Sequence, residues 1–300
     1  MEADNQASRP NGSVMRCMLP GQPSRTVLRP AIGRAAHQLL DRPRLLDDPI
    51  AVGLVPEAAA EVILAAGADH RALSSQRYRT LVALRSRFAE DRLAEAAARG
   101  VSQYVIVGAG LETFPWRQPA FARALRIFLL DHPATLAWTQ DKFRARALAT
   151  PPNLALVPID LEECRLGDVL GVAGFDRRIP TFLSALGVVP YLSGSALDAL
   201  FGFVASLARG SELVLSFVLP DDDLAGEDRE EVRVSIARTD HMGEPWLTRV
   251  RPPDMVARLG GFGFSDIFHL EPSLAQRRYF VGRQDGLQAP WREQLIAAIV

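Results

Sequence analysis

The segment Tyr104-Val-Ile-Val-Gly-Ala-Gly-Leu-Glu-Thr113 joins a run of β-forming residues to a turn that contains two glycines. A strand that stops on Gly108 and Gly110 brings the backbone close to a ligand, because glycine has no Cβ. A second apolar run ends on Asp131, about 20 residues further on, where an α/β sheet holds a ribose by its hydroxyls. Together these features indicate an adenosine-containing cofactor, either a dinucleotide or S-adenosylmethionine.

Downstream of this turn, predicted strands and helices alternate. The strands are predicted at 103–107, 127–130, 154–159, 181–186 and 212–219, with helices at 134–149, 163–170 and 195–208 between them. Such alternation is typical of a mainly parallel sheet with helices on both faces. The segments 264–270 and 278–282 read as a terminal hairpin, which would give the sheet an antiparallel edge.

Upstream, the chain has a helical pattern. Residues 26–66 are interrupted by Pro43, Pro49 and Pro56, and residues 74–99 form a Gly- and Pro-free segment typical of one long helix. Residues 1–25 are predicted to be a disordered arm. We therefore predict a single domain over 26–300, with a helical cap at 26–99 and a sheet core with lid insertions at 100–286.

Composition argues against several classes of protein. The 34 Lys and Arg residues nearly balance the 35 Asp and Glu residues, and the net charge is −1. No basic block suggests binding to nucleic acid or to a membrane surface. No apolar run approaches the length of a membrane span, and residues 1–25 lack the apolar region of a signal peptide.

The cysteine and histidine patterns complete this picture. Cys17 and Cys164 lie far apart in the sequence, so no disulfide is expected and a cytoplasmic location is predicted. The five histidines are scattered, and no cluster has the spacing of metal ligands, so no metal site is predicted. The sequence leaves the oligomeric state open.

Two residues favour S-adenosylmethionine over a dinucleotide. A dinucleotide site has the pattern G-x-G-x-x-G, whereas Thr113 stands where the third glycine would be. Asp160 closes the third predicted strand, where an acid can accept a hydrogen bond from an adenine amino group. The terminal hairpin also suits a methyltransferase sheet better than a dehydrogenase sheet.

The run Gly108-Ala-Gly-Leu-Glu-Thr-Phe-Pro-Trp-Arg-Gln-Pro119 resembles the signature G-A-G-L-D-T-F-x-W-R of the leucine carboxyl methyltransferase-like family. That family includes bacterial S-adenosylmethionine-dependent O-methyltransferases of polyketide and other natural-product pathways. The resemblance implies a Rossmann-like class I methyltransferase sheet and a small-molecule acceptor. It covers about residues 34–286, and further matches follow in the family's order: Asp48-Pro-Ile-Ala51, Arg85-Ser-Arg-Phe-Ala-Glu-Asp91, Leu130-Asp-His-Pro133, Asp160-Leu161, Gly243-Glu-Pro-Trp246, Gly261-Phe-Gly-Phe264 and Tyr279-Phe-Val-Gly-Arg-Gln-Asp-Gly286.

The resemblance implies roles at the adenosine end of the cofactor. Asp131 would accept both ribose hydroxyls, or it could instead cap the helix that begins at Pro133. Asp160 would accept from the adenine amino group while Leu161 packs on the ring. Capping of the next helix is the alternative role for Asp160.

At the methionine end, the resemblance implies that the backbone of Gly108 and Gly110 lies close to the cofactor. Arg85 would pair with the cofactor carboxylate, and Arg87 is the alternative partner. Both arginines could equally belong to a solvated helix face.

The sequence departs from the family pattern by lacking an acidic residue at the end of the fourth predicted strand. The family's fourth strand ends in E-G-x-x-x-Y-L, whereas this chain has Leu186-Gly-Val-Val-Pro-Tyr191-Leu. The acid expected near the cofactor's amino group is therefore missing, and Glu112 is the nearest replacement in the sequence. We predict an O-methyltransferase acting on a carboxylate or hydroxyl, in secondary metabolism. The alternatives are an enzyme that uses S-adenosylmethionine without methyl transfer, releasing methylthioadenosine, and a non-catalytic binding protein.

A general base is needed only for some acceptors. A carboxylate acceptor needs none, whereas a hydroxyl acceptor would need a base, for which His132, Tyr191 and His241 are the candidates. Each of the three could instead have a purely structural role, His132 in a turn, Tyr191 in the core or a lid, and His241 in a solvated loop. Residues 26–66, 191–198 and 221–246 are expected to roof the acceptor pocket.

Overall fold

The computed structural model describes residues 23–66 and 75–300. Its first part is helical: α1 spans Leu28–Leu40, α2 Ala51–Leu54, α3 Glu57–Ala66 and α4 Gln76–Ala98. Helix α4 stops before Gly100, where its sequence predicts a helix end. The predicted arm at 1–25 falls mostly on residues 1–22, which lie outside the described residues.

The second part is an alternating α/β structure. Its seven strands form one sheet in the order β3-β2-β1-β4-β5-β7-β6, with β1 to β5 parallel and β7 antiparallel to both its neighbours. This confirms the predicted fold class. The strands are β1 Gln103–Val107, β2 Arg126–Asp131, β3 Leu154–Pro158, β4 Thr181–Ala185, β5 Glu212–Val218, β6 Asp266–Leu270 and β7 Glu293–Ile299. The helices are α5 Pro133–Arg144, α6 Leu166–Val172, α7 Gly194–Ala205, α8 Gly226–His241, α9 Pro252–Gly261 and α10 Pro272–Ala275.

The core lies on both faces of the sheet, because alternate residues of a strand point to opposite sides. In β1, Val105 packs on the side of α7, in one cluster with Leu197. Ile106 points to the other side, in one cluster with Phe88 and Leu93 of α4. Strands buried on both faces explain the nearly continuous apolar runs in the sequence.

The prediction that residues 278–282 form the second strand of the terminal hairpin is wrong. Residues Gln276–Phe280 form a π-helical turn after α10, and the antiparallel partner of β6 is Glu293–Ile299. A short apolar run cannot be assigned to strand or helix from its sequence alone. The run at 295–299 is the one that continues the sheet, so the sheet extends beyond residue 286.

Cys164 is disulfide-bonded, which contradicts the expectation of no disulfide. Separation along the chain does not limit proximity in the folded protein. Cys17, the other cysteine of the sequence, lies outside the described residues. Within those residues, no helix is both long and apolar enough to cross a bilayer.

A buried ion pair joins α1 to α4. Asp41, directly after α1, accepts hydrogen bonds from Arg79 Nη2 at 2.7 Å and from His37 Nδ1 at 2.7 Å. The other nitrogen of His37, Nε2, accepts from the backbone N–H of Leu45 at 3.0 Å, so the proton lies on Nδ1. Burial acts to raise the pKa of Asp41, but these hydrogen bonds outweigh it and leave the pKa lowered.

Asp41→Asn is expected to lower the free energy of unfolding by about 3–5 kcal/mol, because it removes the buried carboxylate that accepts from Arg79 and His37. The loss should be largest near neutral pH and shrink in acid, since a lowered pKa stabilises the fold above the unfolded pKa and is lost as pH falls through the folded one. Urea denaturation measures it. Asp47→Asn, in an exposed pair with Arg44, should cost less than about 1 kcal/mol. Equal losses would contradict the role of the buried pair.

Candidate active site

A cavity of about 920 Å³ lies at the carboxyl ends of the parallel strands. It opens beside β1 and β4, where the strand order reverses, the usual position for a ligand in an open α/β sheet. The start of α1, the middle of α4 and the segment after α8 form the other walls. All six predicted cofactor residues line it: Arg85, Gly108, Gly110, Asp131, Asp160 and Leu161.

The turn after β1 admits only glycine at its first position. Gly108 has φ +64°, and a Cβ there would lie 2.3 Å from Cγ2 of Val188. Gly110 has φ +54°, and a Cβ there would lie 3.3 Å from Val27, at the start of α1. The turn is therefore closely packed between the segment that follows β4 and the helical cap, with its backbone exposed to the cavity.

Asp131 closes β2 and faces this turn. Its Oδ2 accepts the N–H of Gly110 at 2.6 Å, and its Oδ1 accepts the N–H of His132 at 2.7 Å. Burial raises the pKa of Asp131 against the lowering effect of these two N–H groups. Each oxygen keeps acceptor capacity for a further donor in the cavity. The capping alternative is not what Asp131 does, because His132 Nδ1 accepts from the N–H of Ala134 instead.

Asp160 and Leu161 follow β3 on the same side of the cavity. Asp160 Oδ1 accepts the N–H of Glu162 at 2.9 Å, so it orders its own turn rather than capping a helix at 163. Leu161 packs partly buried against the core cluster. The two residues form one polar and one apolar contact surface at the end of β3.

The structure separates the two candidate arginines. Arg85 lines the cavity with a side chain only 12% exposed, and its Nη1 lies 3.4 Å from Oε1 of Glu293. Arg87 points away, donating to Asp91 at 2.8 Å and to the carbonyl of Leu45 at 3.1 Å. Arg85 is therefore the arginine available to a ligand.

Glu112, the candidate replacement for the missing acid, already has partners. Its Oε1 accepts the N–H groups of Thr113 and Phe114, each at 2.8 Å. Burial acts to raise its pKa, but Arg34, Arg117 and these two N–H groups hold it below the usual value. Glu112 is a structural anion of the turn, although it also lines the cavity.

Thr113, the departure from the dinucleotide pattern, anchors the turn to the helical cap. Its hydroxyl donates to Asp48 Oδ2 at 2.7 Å and accepts from Arg117 Nε at 3.0 Å. Arg117 also donates to Glu90 of α4 at 2.9 Å. A glycine here would remove this link between β1, α4 and the segment before α2.

The three candidate bases are not equivalent. Tyr191 lines the cavity beside Trp246, and burial raises the pKa of its hydroxyl. His132 also lines the cavity, but its Nδ1 is engaged as the cap of α5. His241 is exposed at the end of α8 and is not among the lining residues, so the structure does not bring it to the site.

Glu244 ties the N-terminal segment across the cavity mouth. It accepts from the hydroxyls of Ser24 at 2.7 Å and Thr26 at 2.9 Å, and from the N–H of Arg25 at 2.7 Å. This contact joins residues about 220 positions apart in the chain. The motif Gly243-Glu-Pro-Trp246 was the only sequence signal for it.

Sequence reasoning missed two arginines of the cavity wall. Arg29 and Arg238 line the cavity, and neither makes an ion pair with an acid of the described chain. Arg29 Nε is buried without a hydrogen-bond partner, and burial lowers the pKa of its guanidinium. Arg29 lies 4.5 Å from the ring centre of Tyr78, also a lining residue. No local motif marks these residues, because they come from separate helices.

The residues present fit an adenosyl sulfonium cofactor. The Gly108 turn is a cradle that a Cβ would fill, Asp131 offers two carboxylate oxygens at the end of β2, and Arg85 offers a guanidinium. Within the described residues no group of three or more His, Cys, Asp or Glu could hold a metal. The fold and site thus define a Rossmann-like protein of the class I methyltransferase type.

Comparison with known proteins gives the family. Residues 27–205, more than half of the chain, match the model for leucine carboxyl methyltransferase, and the chain belongs to this family. YktD of Bacillus subtilis, described as a "putative S-adenosyl-L-methionine-dependent methyltransferase", is 28% identical over 91% of this chain and 96% of its own length. A protein of Saccharopolyspora erythraea with the same description is 31% identical over 69% of this chain and 71% of its own length.

Solved structures agree on the fold. A DUF574 family protein from Streptomyces avermitilis has a TM-score of 0.56 at 16% identity, covering 89% of this chain and 96% of its own. A protein from Thermobifida fusca, described as a "putative methyltransferase", has a TM-score of 0.53 at 19% identity, covering 93% of this chain and 95% of its own. The predicted family, enzyme class and S-adenosylmethionine cofactor are thus confirmed at the level of the family.

Gly108→Ala is expected to destabilise the protein more than Gly210→Ala. Both positions have positive φ, +64° and +83°, which costs an alanine about 1–2 kcal/mol. A Cβ at Gly210 meets nothing within 4 Å, whereas at Gly108 it collides with Val188, adding about 1–3 kcal/mol. Urea denaturation of both variants measures the difference. Equal losses would mean that Val188 moves aside freely.

Proposed function

We propose that this protein is an S-adenosylmethionine-dependent O-methyltransferase whose acceptor is a small-molecule carboxylate of secondary metabolism. The observation that carries the choice of acceptor is the pair of cavity-lining cations, Arg29 and Arg238, which make no ion pair within residues 23–66 and 75–300. Both side chains are half-buried, and the Nε of Arg29 is buried without a hydrogen-bond partner among the described residues. Partly desolvated guanidinium groups that lack an acid partner there make the cavity complementary to an anion. A neutral alcohol would leave these charges uncompensated.

The cofactor side of the cavity is assigned to the residues at the strand ends. Asp131 would bind the ribose hydroxyls, Asp160 the adenine amino group, and Leu161 the face of the ring. Gly108 lets the backbone approach the methionine end, which Arg85 would bind through its carboxylate. When bound, S-adenosylmethionine supplies a methyl group already activated by a positive sulfur.

The acceptor side needs residues that orient and desolvate rather than a base. His132 Nδ1 is committed to the cap of α5, and the raised pKa of Tyr191 makes its phenol a poor proton acceptor at neutral pH. A carboxylate acceptor is already ionised and requires neither. Tyr191 and Trp246 exclude water, and the Glu244 contacts hold the N-terminal segment over the mouth.

The test uses matched acceptors. Purified protein with S-adenosylmethionine is offered pairs of small aromatic or aliphatic acids and the corresponding primary alcohols, and products are identified by mass spectrometry. Methyl esters together with S-adenosylhomocysteine support the proposal, whereas methyl ethers from the alcohols alone contradict a carboxylate acceptor. Arg29→Gln should raise KM for the acid about 10-fold or more while leaving cofactor affinity unchanged, because it removes a charge-assisted hydrogen bond.

A second candidate function follows from Leu186. An apolar residue lies at the cavity where the family has a glutamate, so the methionine end is bound differently from the family pattern. An enzyme that uses the sulfonium without methyl transfer would release methylthioadenosine instead of S-adenosylhomocysteine. The same mass spectra therefore separate the two functions.

Asp131→Asn is expected to weaken S-adenosylmethionine binding by about 10- to 100-fold, because a neutral amide cannot accept both ribose hydroxyls. In the unaltered protein the affinity should fall as pH drops through the raised pKa of Asp131, since only the ionised carboxylate accepts twice. The variant should lack that pH dependence. Calorimetric titration between pH 8 and pH 5 measures both.

The control for this titration is Asp168→Asn, which changes the net charge equally at an exposed position of α6 outside the cavity. Its affinity and pH profile should match those of the unaltered protein. A profile that survives in Asp131→Asn would exclude Asp131 as the titrating group.

A further inference from the structure

The methionine end of S-adenosylmethionine carries two opposite charges, an α-carboxylate and an α-ammonium. Burying a charge without a partner is costly, so a site for this end needs an anion as well as the guanidinium of Arg85. The strand end that supplies the anion in the family carries Leu186 here. The cavity must therefore offer an acid from another element or leave the ammonium unpaired.

The acidic side chains that line the cavity differ in how many hydrogen bonds their carboxylate oxygens accept. Glu112 accepts two backbone N–H groups, Asp131 accepts two, and Glu244 accepts three donors. Asp160 accepts the N–H of Glu162 at 2.9 Å, and Glu162 accepts the N–H and the hydroxyl of Ser193 at 2.8 Å and 2.7 Å. Within the described residues, Glu293 has only the 3.4 Å contact with Arg85.

Glu293 also lies in the right place. It is the first residue of β7, with a side chain 10% exposed, and it lines the cavity together with Arg85 and Gly187. Arg85 Nη1 lies 2.6 Å from the position of a Cβ on Gly187 and 3.4 Å from Glu293 Oε1. Because both distances start at Arg85 Nη1, Oε1 of Glu293 lies within about 6 Å of the place that a Cβ on Gly187, the residue after Leu186, would occupy.

The contact between Arg85 and Glu293 is looser than a charge-assisted hydrogen bond, which spans about 2.7–2.9 Å. A zwitterion placed between the two side chains would give each of them a closer partner of opposite charge. Arg85 and Glu293 together could thus bind a ligand that carries an ammonium and a carboxylate on adjacent carbon atoms.

We infer that Glu293 binds the α-ammonium of the cofactor's methionine end while Arg85 binds its carboxylate, so that β7 supplies the acid that Leu186 does not. This inference rests on the proposed function, because it takes S-adenosylmethionine as the ligand. It deepens that function by assigning the binding of the methionine end to two elements, α4 and β7.

The test is calorimetric titration with three ligands. S-adenosylmethionine carries both charges, decarboxylated S-adenosylmethionine keeps only the ammonium, and 5′-methylthioadenosine has neither. Glu293→Gln should weaken binding of the first two by about 10- to 100-fold, the range expected for a hydrogen bond to a charged group, and leave the third unchanged. Arg85→Gln should weaken binding of S-adenosylmethionine far more than binding of its decarboxylated form.

Glu112→Gln is the matched control, since Glu112 is the rival acid in the same cavity. It should leave the ratio of the S-adenosylmethionine and methylthioadenosine affinities unaltered. A fall of that ratio in Glu112→Gln but not in Glu293→Gln would overturn the inference, as would an equal loss for all three ligands in Glu293→Gln.

The failure of the inference is distinguishable from failure of the proposed function. An unaltered protein that binds S-adenosylmethionine no more tightly than methylthioadenosine contradicts a zwitterion site but leaves the methyltransferase intact. An unaltered protein that binds neither ligand contradicts the proposed function, and the inference falls with it.

Discussion

The hydroxyl of Thr113 is the contact on which the site's geometry depends. It joins the turn after β1 to Asp48 of the cap and, through Arg117, to Glu90 of α4. All of these groups are buried or partly buried, where an unpaired polar group would be costly. The network therefore places the glycine turn, the cap and α4 in one fixed arrangement, and the cavity is the space that this arrangement leaves open.

Charge is distributed unevenly around that space. The strand ends carry Asp131 and Asp160, which suit hydroxyl and amino donors, whereas the helical cap and α8 contribute the guanidinium groups of Arg29 and Arg238. A neutral chain can thus have one wall that favours a nucleoside and another that favours an anion. The net charge of −1 gives no indication of this division, because it sums over the whole surface.

Several parts of the site could be predicted from sequence because they are local. A strand, a glycine turn and an acid at the next strand end follow each other within 28 residues, 104–131, and their geometry is set by backbone conformation. His241 could not be excluded in the same way, since the exposed face of α8 depends on what α8 packs against. Likewise the sequence predicts the second antiparallel strand at 278–282, whereas the structure has it at Glu293–Ile299, because both runs are short and mostly apolar.

The sequence by itself determined the parallel α/β sheet, the glycine turn and the family, since these rest on residue types at short, fixed spacings. Only the tertiary structure decided which arginine faces the ligand, that Glu112 is committed to its turn, and that Glu293 meets Arg85 across 208 residues of chain. The physical reason is that side chains brought together by folding share no sequence spacing. Their contacts depend on the packing of α4 and β7 against the same sheet.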